Sequence, residues 1–140
     1  MIRVVIDANQ FVSALLKPAS KPADVLRLAR EGKIQLVMSR AIIDEIGAVL
    51  LYPKIMKRHR RTPAQISLFL KKMLKVAVIT HNEPKLELIK DDPSDNKYLE
   101  CAVAGKVDCI ISGDRHLMDL KSFQGIRIMA PAHFLQSFAG

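Results

Sequence analysis

Short runs of Val and Ile alternate along this chain with longer stretches whose apolar residues recur at helical spacing, and that alternation limits the folds open to it. The runs at 2–6 (IRVVI), 34–38 (IQLVM), 76–79 (VAVI), 107–111 (VDCII) and 126–129 (IRIM) are too short for helices. They have little of the polar alternation that marks a half-exposed strand, which suits strands of a parallel sheet covered on both faces. Between them, helices are expected over 10–16, 23–31 closed by Gly32, 41–51 closed by Tyr52-Pro53, 63–75, and 93–104 closed by Gly105, with short ones near Leu117 and His133. Strand and helix in turn predict a three-layer α/β/α sandwich around a mainly parallel sheet, with right-handed crossovers. Residues 1–140 read as a single domain, and 49% apolar content is ample for its core. The stretch from Thr80 to Asp92 is expected to be the least ordered.

Open parallel sheets bind ligands at the carboxyl ends of their strands. Asp7 and Asp114 each directly follow an expected strand. Glu45 lies three residues after Ile42 and four before Val49, bordering the inward stripe of its helix, whereas Asp44 falls on the other side with Arg40 and Ala48. Asp95 shares a helix face with Leu99 and Ala102. Four carboxylates gathered in a low-dielectric crevice raise one another's pKa and repel unless a cation neutralises them. Oxygen ligands of this kind favour Mg²⁺ or Mn²⁺. Structural readings stand beside this one. Asp after a strand commonly orders a turn, and Asp92, Pro93 and Asp95 also form a helix start with Asp92 as N-cap and Asp95 complementing the dipole.

Charge points to the partner. There are 22 Lys and Arg against 14 Asp and Glu, a formal charge of +8 and a pI near 9.7, which favours a polyanionic partner such as nucleic acid or another polyphosphate over a basic charge that merely keeps the protein soluble. Lys54, Lys57, Arg58, Arg60 and Arg61, with His59 among them, form a basic run suited to steering phosphates toward the crevice or, equally, to facing water. Aromatic residues make up 5% with no interleaved basic stripe, so base stacking is not expected to dominate. No apolar run approaches the roughly 18 residues of a membrane span, and the opening MIRVVIDA lacks the layout of a signal peptide. Cys101 and Cys109 show no metal or redox spacing and read as reduced core residues of a cytoplasmic protein. His116 lacks a second His at metal spacing and reads as a structural hydrogen-bonding group.

Taken together, the Asp7-Ala8-Asn9 opening, Glu45, Asp95 in D-N-x-x-L-x-x-A and Asp114 in Ser-x-Asp resemble the PIN-domain ribonucleases, including the toxins of VapBC-type toxin–antitoxin pairs. SGDRHLMDL followed by IRIMAPAHFL is especially like one subgroup of PIN-family toxins. The resemblance runs nearly end to end. It implies a Mg²⁺- or Mn²⁺-dependent endoribonuclease in which Asp7, Glu45, Asp95 and Asp114 hold one or two ions, with Asn9 and Ser112 as supporting polar groups. It further implies a separate antitoxin partner and a homodimer. Asn9 has capping of the first helix as its alternative role. Three other functions share this pattern in part: a housekeeping or DNA-directed nuclease on the same scaffold, a non-catalytic RNA-binding module, and a phosphorylatable signalling domain. Glu45 on a helix and the absence of an acceptor Asp with a partnering Lys count against the last.

Overall fold

The computed structural model describes residues 1–90 and 92–139; Asp91, within the stretch expected to be least ordered, and Gly140 lie outside the described residues. Six strands form one sheet: β1 (Arg3–Ile6), β2 (Gln35–Met38), β3 (Ala77–Ile79), β4 (Cys109–Ile111), β5 (Ser122–Phe123) and β6 (Ile126–Met129). Their order is β3-β2-β1-β4-β6-β5, parallel throughout except for the antiparallel β5–β6 hairpin at one edge. Eight helices are present among the described residues: α1 (Ala8–Leu16), α2 (Lys21–Arg30), α3 (Arg40–Leu50), α4 (Pro53–His59), α5 (Pro63–Val76), α6 (Asn96–Ala104), α7 (Arg115–Met118) and α8 (Pro131–Ala139). In the central strands the side chains of both faces are buried, from Val4, Val5 and Ile6 to Ile110 and Ile111, the condition that helical layers on each side create. α6 packs against β1, β2 and β4, while α1 packs against α2 and α3. The expected α/β sandwich is the fold observed.

Local chemistry explains most of the helix boundaries. Ser20, Ser39 and Thr62 are N-caps whose hydroxyls accept backbone N–H groups of α2, α3 and α5, and Thr62 with Gln65 completes a reciprocal capping box. Gly32, at φ +74°, follows the end of α2. Gly105, the C-cap of α6, is fixed by space instead. A Cβ there would lie 2.5 Å from Val37 Cγ1 and 3.2 Å from Thr80 Cγ2, so α6 approaches β2 more closely than any side chain allows.

Several boundaries and connections differ from expectation. Tyr52-Pro53, expected only to stop a helix, also starts one, because proline's missing N–H costs nothing at the first position of α4. β5 has two residues and was not anticipated; Gln124 and Gly125, at φ 49° and 81°, make the tight turn that folds it onto β6. Residues 80–90 hold no helix or strand, yet they are tied to α6. The Asn96 amide oxygen accepts the Leu88 and Ile89 N–H groups, and Glu100 accepts that of Leu86. Both cysteines are free and buried, and burial pushes their thiols up to about 11 for Cys101 and about 12 for Cys109, so they stay protonated. No helix among the described residues is long and apolar enough to cross a membrane.

Candidate functional site

The parallel register of β1 and β4 decides where the acids meet. Ile6 pairs with Ile111, and the Asp7 N–H donates to the Ile111 carbonyl at 3.2 Å, so the two strand ends stop side by side. Asp7 then N-caps α1, accepting the Gln10 N–H at 3.1 Å on Oδ1 and the Ser112 hydroxyl on Oδ2. Ser112 also accepts the Asp114 N–H at 2.9 Å, and Asp114 N-caps α7 through the N–H groups of His116 and Leu117. Ser39 starts α3 at the end of β2, which carries Glu45 to the same edge of the sheet. Asp95 ends a single 3-10 turn, Pro93–Asp95, that precedes α6.

Asp7, Glu45, Asp95 and Asp114 line one cleft of about 150 Å³, together with Asn9, Asp92, Ser94 and Tyr98. Asp7 is 2% exposed and Asp95 8%. Burial raises the Asp7 carboxyl above its ordinary range, the Asp114 charge adds to this, and the Ser112 and Gln10 hydrogen bonds oppose it. Asp95 is pushed up to about 6, first by burial and then by the charges of Asp114 and Asp92. Its Oδ2 is one of two buried side-chain polar atoms without a partner among the described residues; the other is Gln10 Oε1.

Two residues missed in the sequence complete the cleft. Lys97 Nζ and the Tyr98 hydroxyl both donate to Glu45, one to each oxygen. The Tyr98 oxygen in turn accepts the Ala8 N–H at 3.1 Å, and burial followed by the bond to Glu45 holds its proton on. Tyr98 stands three residues after Asp95, so the helical spacing used for Leu99 and Ala102 also pointed to it.

The remaining expectations sort clearly. Asn9 does not cap α1, since Asp7 does; its side chain is exposed at the cleft. Asp92 makes no side-chain cap and accepts the Ser94 hydroxyl at 2.7 Å. Asp44 lies on the surface, paired with Arg40. The basic run does not present one surface. Lys54, Lys57, Arg58 and Arg60 are exposed, but the Arg61 guanidinium donates to the backbone carbonyls of Leu15 and His59 at 3.1 and 3.2 Å. Arg61 thereby staples two segments together through one guanidinium nitrogen. Buried His59 accepts the Arg61 N–H on Nδ1 and so donates from Nε2 to the Leu50 carbonyl, 2.9 Å away. Lys57, Arg58 and Arg60 meet Lys17, at the end of α1, around a second cleft of about 500 Å³.

The chemistry of the acidic cleft fits a divalent cation. A buried, unpartnered carboxylate oxygen facing other carboxylates gains more from a hard cation than from any other partner. Among the described residues, no three His, Cys, Asp or Glu side chains already stand at ligating spacing, in keeping with Glu45 being drawn to Lys97 and Tyr98.

Comparison with known proteins agrees with this architecture. An uncharacterized protein of Methanocaldococcus jannaschii, MJ1680, is 32% identical over 145 aligned positions, covering 98% of this chain and 92% of that one. The crystal structure of PAE2754 from Pyrobaculum aerophilum superimposes with a TM-score of 0.61 at 19% identity, over 99% of this chain and 90% of that one, a likeness of fold. The PIN domain model matches residues 3–116, the span that carries all five acids of the cleft, and this chain belongs to the PIN-domain family, generally one of nucleases.

Proposed function

We propose that this protein is a metal-dependent endoribonuclease that hydrolyses RNA phosphodiester bonds at the acidic cleft. The observation that carries the reading is Asp95, whose buried oxygen lacks a partner while Asp7, Glu45 and Asp114 line the same 150 Å³. Asp7, Asp95, Asp114 and, after rearrangement, Glu45 would hold Mg²⁺ or Mn²⁺. When bound, such an ion supplies a Lewis acid that lowers the pKa of water and offsets charge on the scissile phosphate. The protein's part is orientation. Ser112 and the Gln10 N–H fix the Asp7 carboxylate, the start of α7 fixes Asp114, and Tyr98 fixes one oxygen of Glu45. Exposed Asn9 lines the cleft, where its amide would contact a bound phosphate or help orient a neighbouring carboxylate. The basic cleft, with Lys17, Lys57, Arg58 and Arg60, supports a polyanionic substrate. A toxin role, with an antitoxin restraining it and a homodimeric assembly, belongs to the same reading through the family resemblance.

Cleavage of a mixed pool of structured and single-stranded RNA, with ends mapped by sequencing, tests this directly. Products with 5′-phosphate and 3′-hydroxyl ends are expected in Mn²⁺ and none in chelator. Asp7→Asn keeps a good N-cap for α1 but removes the charge, so turnover should fall by about a hundredfold or more with little change in melting temperature. Cleavage that persists in chelator, 2′,3′-cyclic ends, or an active Asp7→Asn variant would overturn the mechanism. A parallel DNA pool cleaved faster than RNA would replace the substrate and keep the site. Co-expression with any short reading frame directly upstream tests the toxin role, which predicts relief of growth arrest.

A further inference from the structure

Both oxygens of Glu45 already meet side-chain donors, and the two donors are not equivalent. Tyr98 is 3% exposed, and its hydroxyl also receives the buried Ala8 N–H, so moving it would orphan a backbone donor. Lys97 has neither restraint. Its side chain is 17% exposed, its charge sits on a flexible four-carbon stem, and the ammonium lies 5.6 Å from the centroid of the Tyr98 ring, within reach of a cation–π contact. The pair is part-buried, so breaking it costs more than breaking a surface pair, and the exchange proceeds only if the bonds of an incoming ion offset that cost.

We propose that Lys97 is the cleft's own displaceable counter-cation: it neutralises Glu45 while no divalent ion is held, and yields that carboxylate oxygen when one arrives. The inference rests on the reading of the cleft as a divalent-cation site. Asp7, Asp92, Asp95 and Asp114 line the cleft with Glu45, so one ammonium leaves most of the negative charge unbalanced. A divalent ion brings twice the charge and several bonds, which makes the exchange favourable. Tyr98 stays on the other oxygen and keeps Glu45 aimed into the cleft. The freed ammonium remains beside the Tyr98 ring, where it can meet the negative charge of a bound phosphodiester.

Calorimetric Mn²⁺ titration of four proteins tests the exchange: the unmodified chain, Lys97→Met, Glu45→Gln and the double variant. Where Glu45 is present, Lys97→Met should tighten Mn²⁺ binding by roughly fivefold or more, the upper end of what an exposed pair is worth, because this pair is part-buried. In the Glu45→Gln background the same substitution should change affinity far less, because no ion pair is left to displace. Equal tightening in both backgrounds would show that the ammonium acts only through its field, and weaker binding in Lys97→Met would make it a support for Glu45. Either result overturns the proposal and leaves the cation site standing. An unmodified protein that takes up no Mn²⁺ at millimolar concentration would overturn the cation site and this inference together.

Discussion

The acidic and basic clefts stand at opposite ends of α1 and concentrate like charge in opposite ways. In the acidic cleft, Asp7, Glu45 and Asp114 are each drawn to named donors, and Asp7 and Asp95 are removed from water. In the basic cleft the cations are exposed, and order comes from two neighbours bonded to backbone: His59 bonded to Leu50 and Arg61, and Arg61 bonded to Leu15. Water and salt screen the exposed cations, so they can be crowded at little cost. The buried acids lack that screening, and the carboxyls of Asp7 and Asp95 are raised, first by burial and then by the charge of their neighbours. On the proposed reading, a surface that attracts RNA tolerates imprecision, whereas a pocket that would ligate a cation requires each group to be held.

The contrast breaks most visibly at the basic end. Lys17→Glu combined with Arg58→Glu should weaken single-stranded RNA binding, followed by fluorescence anisotropy in chelator at low salt, on the order of a hundredfold, and should flatten its salt dependence. Mn²⁺ affinity should not change. RNA affinity equal to that of the unmodified protein would reduce the basic cleft to solvated surface.

A smaller effect distinguishes the staples from the charges they present. His59→Phe leaves the Leu50 carbonyl and the Arg61 N–H without their partner, and should cost about 1–3 kcal/mol of stability in denaturant unfolding. Lys54→Ala, on the exposed face of α4, should stay within about 0.5 kcal/mol. Similar losses for the two would remove the proposed division of labour within the run.

The smallest expected effect concerns the cost of the buried acids. Asp95 titrates near 6 in the folded protein against an ordinary value of 3.8. As pH rises through that window the unfolded chain loses its proton first, so this group lowers stability progressively and its full cost is present above about pH 6. Asp95→Asn should therefore stabilise the metal-free protein at pH 7.5 by on the order of 1 kcal/mol, and the gain should vanish below about pH 4. Unfolding curves in chelator at the two pH values would show it. Destabilisation at pH 7.5 would mean that the charge is already compensated.

Much of this was legible in the sequence, for identifiable reasons. Buried parallel strands announce themselves through unbroken Val and Ile, and the ends of adjacent strands bring Asp7 and Asp114 together without any knowledge of side-chain angles. Glu45 followed from helical spacing. What escaped depended on direction rather than residue type. Arg61 counts as a cation in any composition, yet its guanidinium turns inward to carbonyls. Lys97 and Tyr98 sit in a helix start whose acids drew attention first, and only the packing of α6 beside α3 shows that they reach Glu45. Lys17 lies 40 residues before Lys57, and no local pattern joins them across a cleft.

The close approach at Gly105 reaches further than its own surroundings. α6 is a stiff rod of nine residues, about 14 Å long, with Gly105 at one end and Lys97 and Tyr98 on the first turn at the other. A methyl group at Gly105 would lie 2.5 Å from the Val37 side chain and 3.2 Å from the Cys101 carbonyl, so either the buried Val37 or the rod must shift. Where the rod yields, it acts as a lever: movement at this end is delivered to the tip, where Lys97 and Tyr98 hold Glu45. Mutational sensitivity in this protein should therefore follow mechanical connection as well as distance, and a residue remote from the cleft can disable it without touching a single acid.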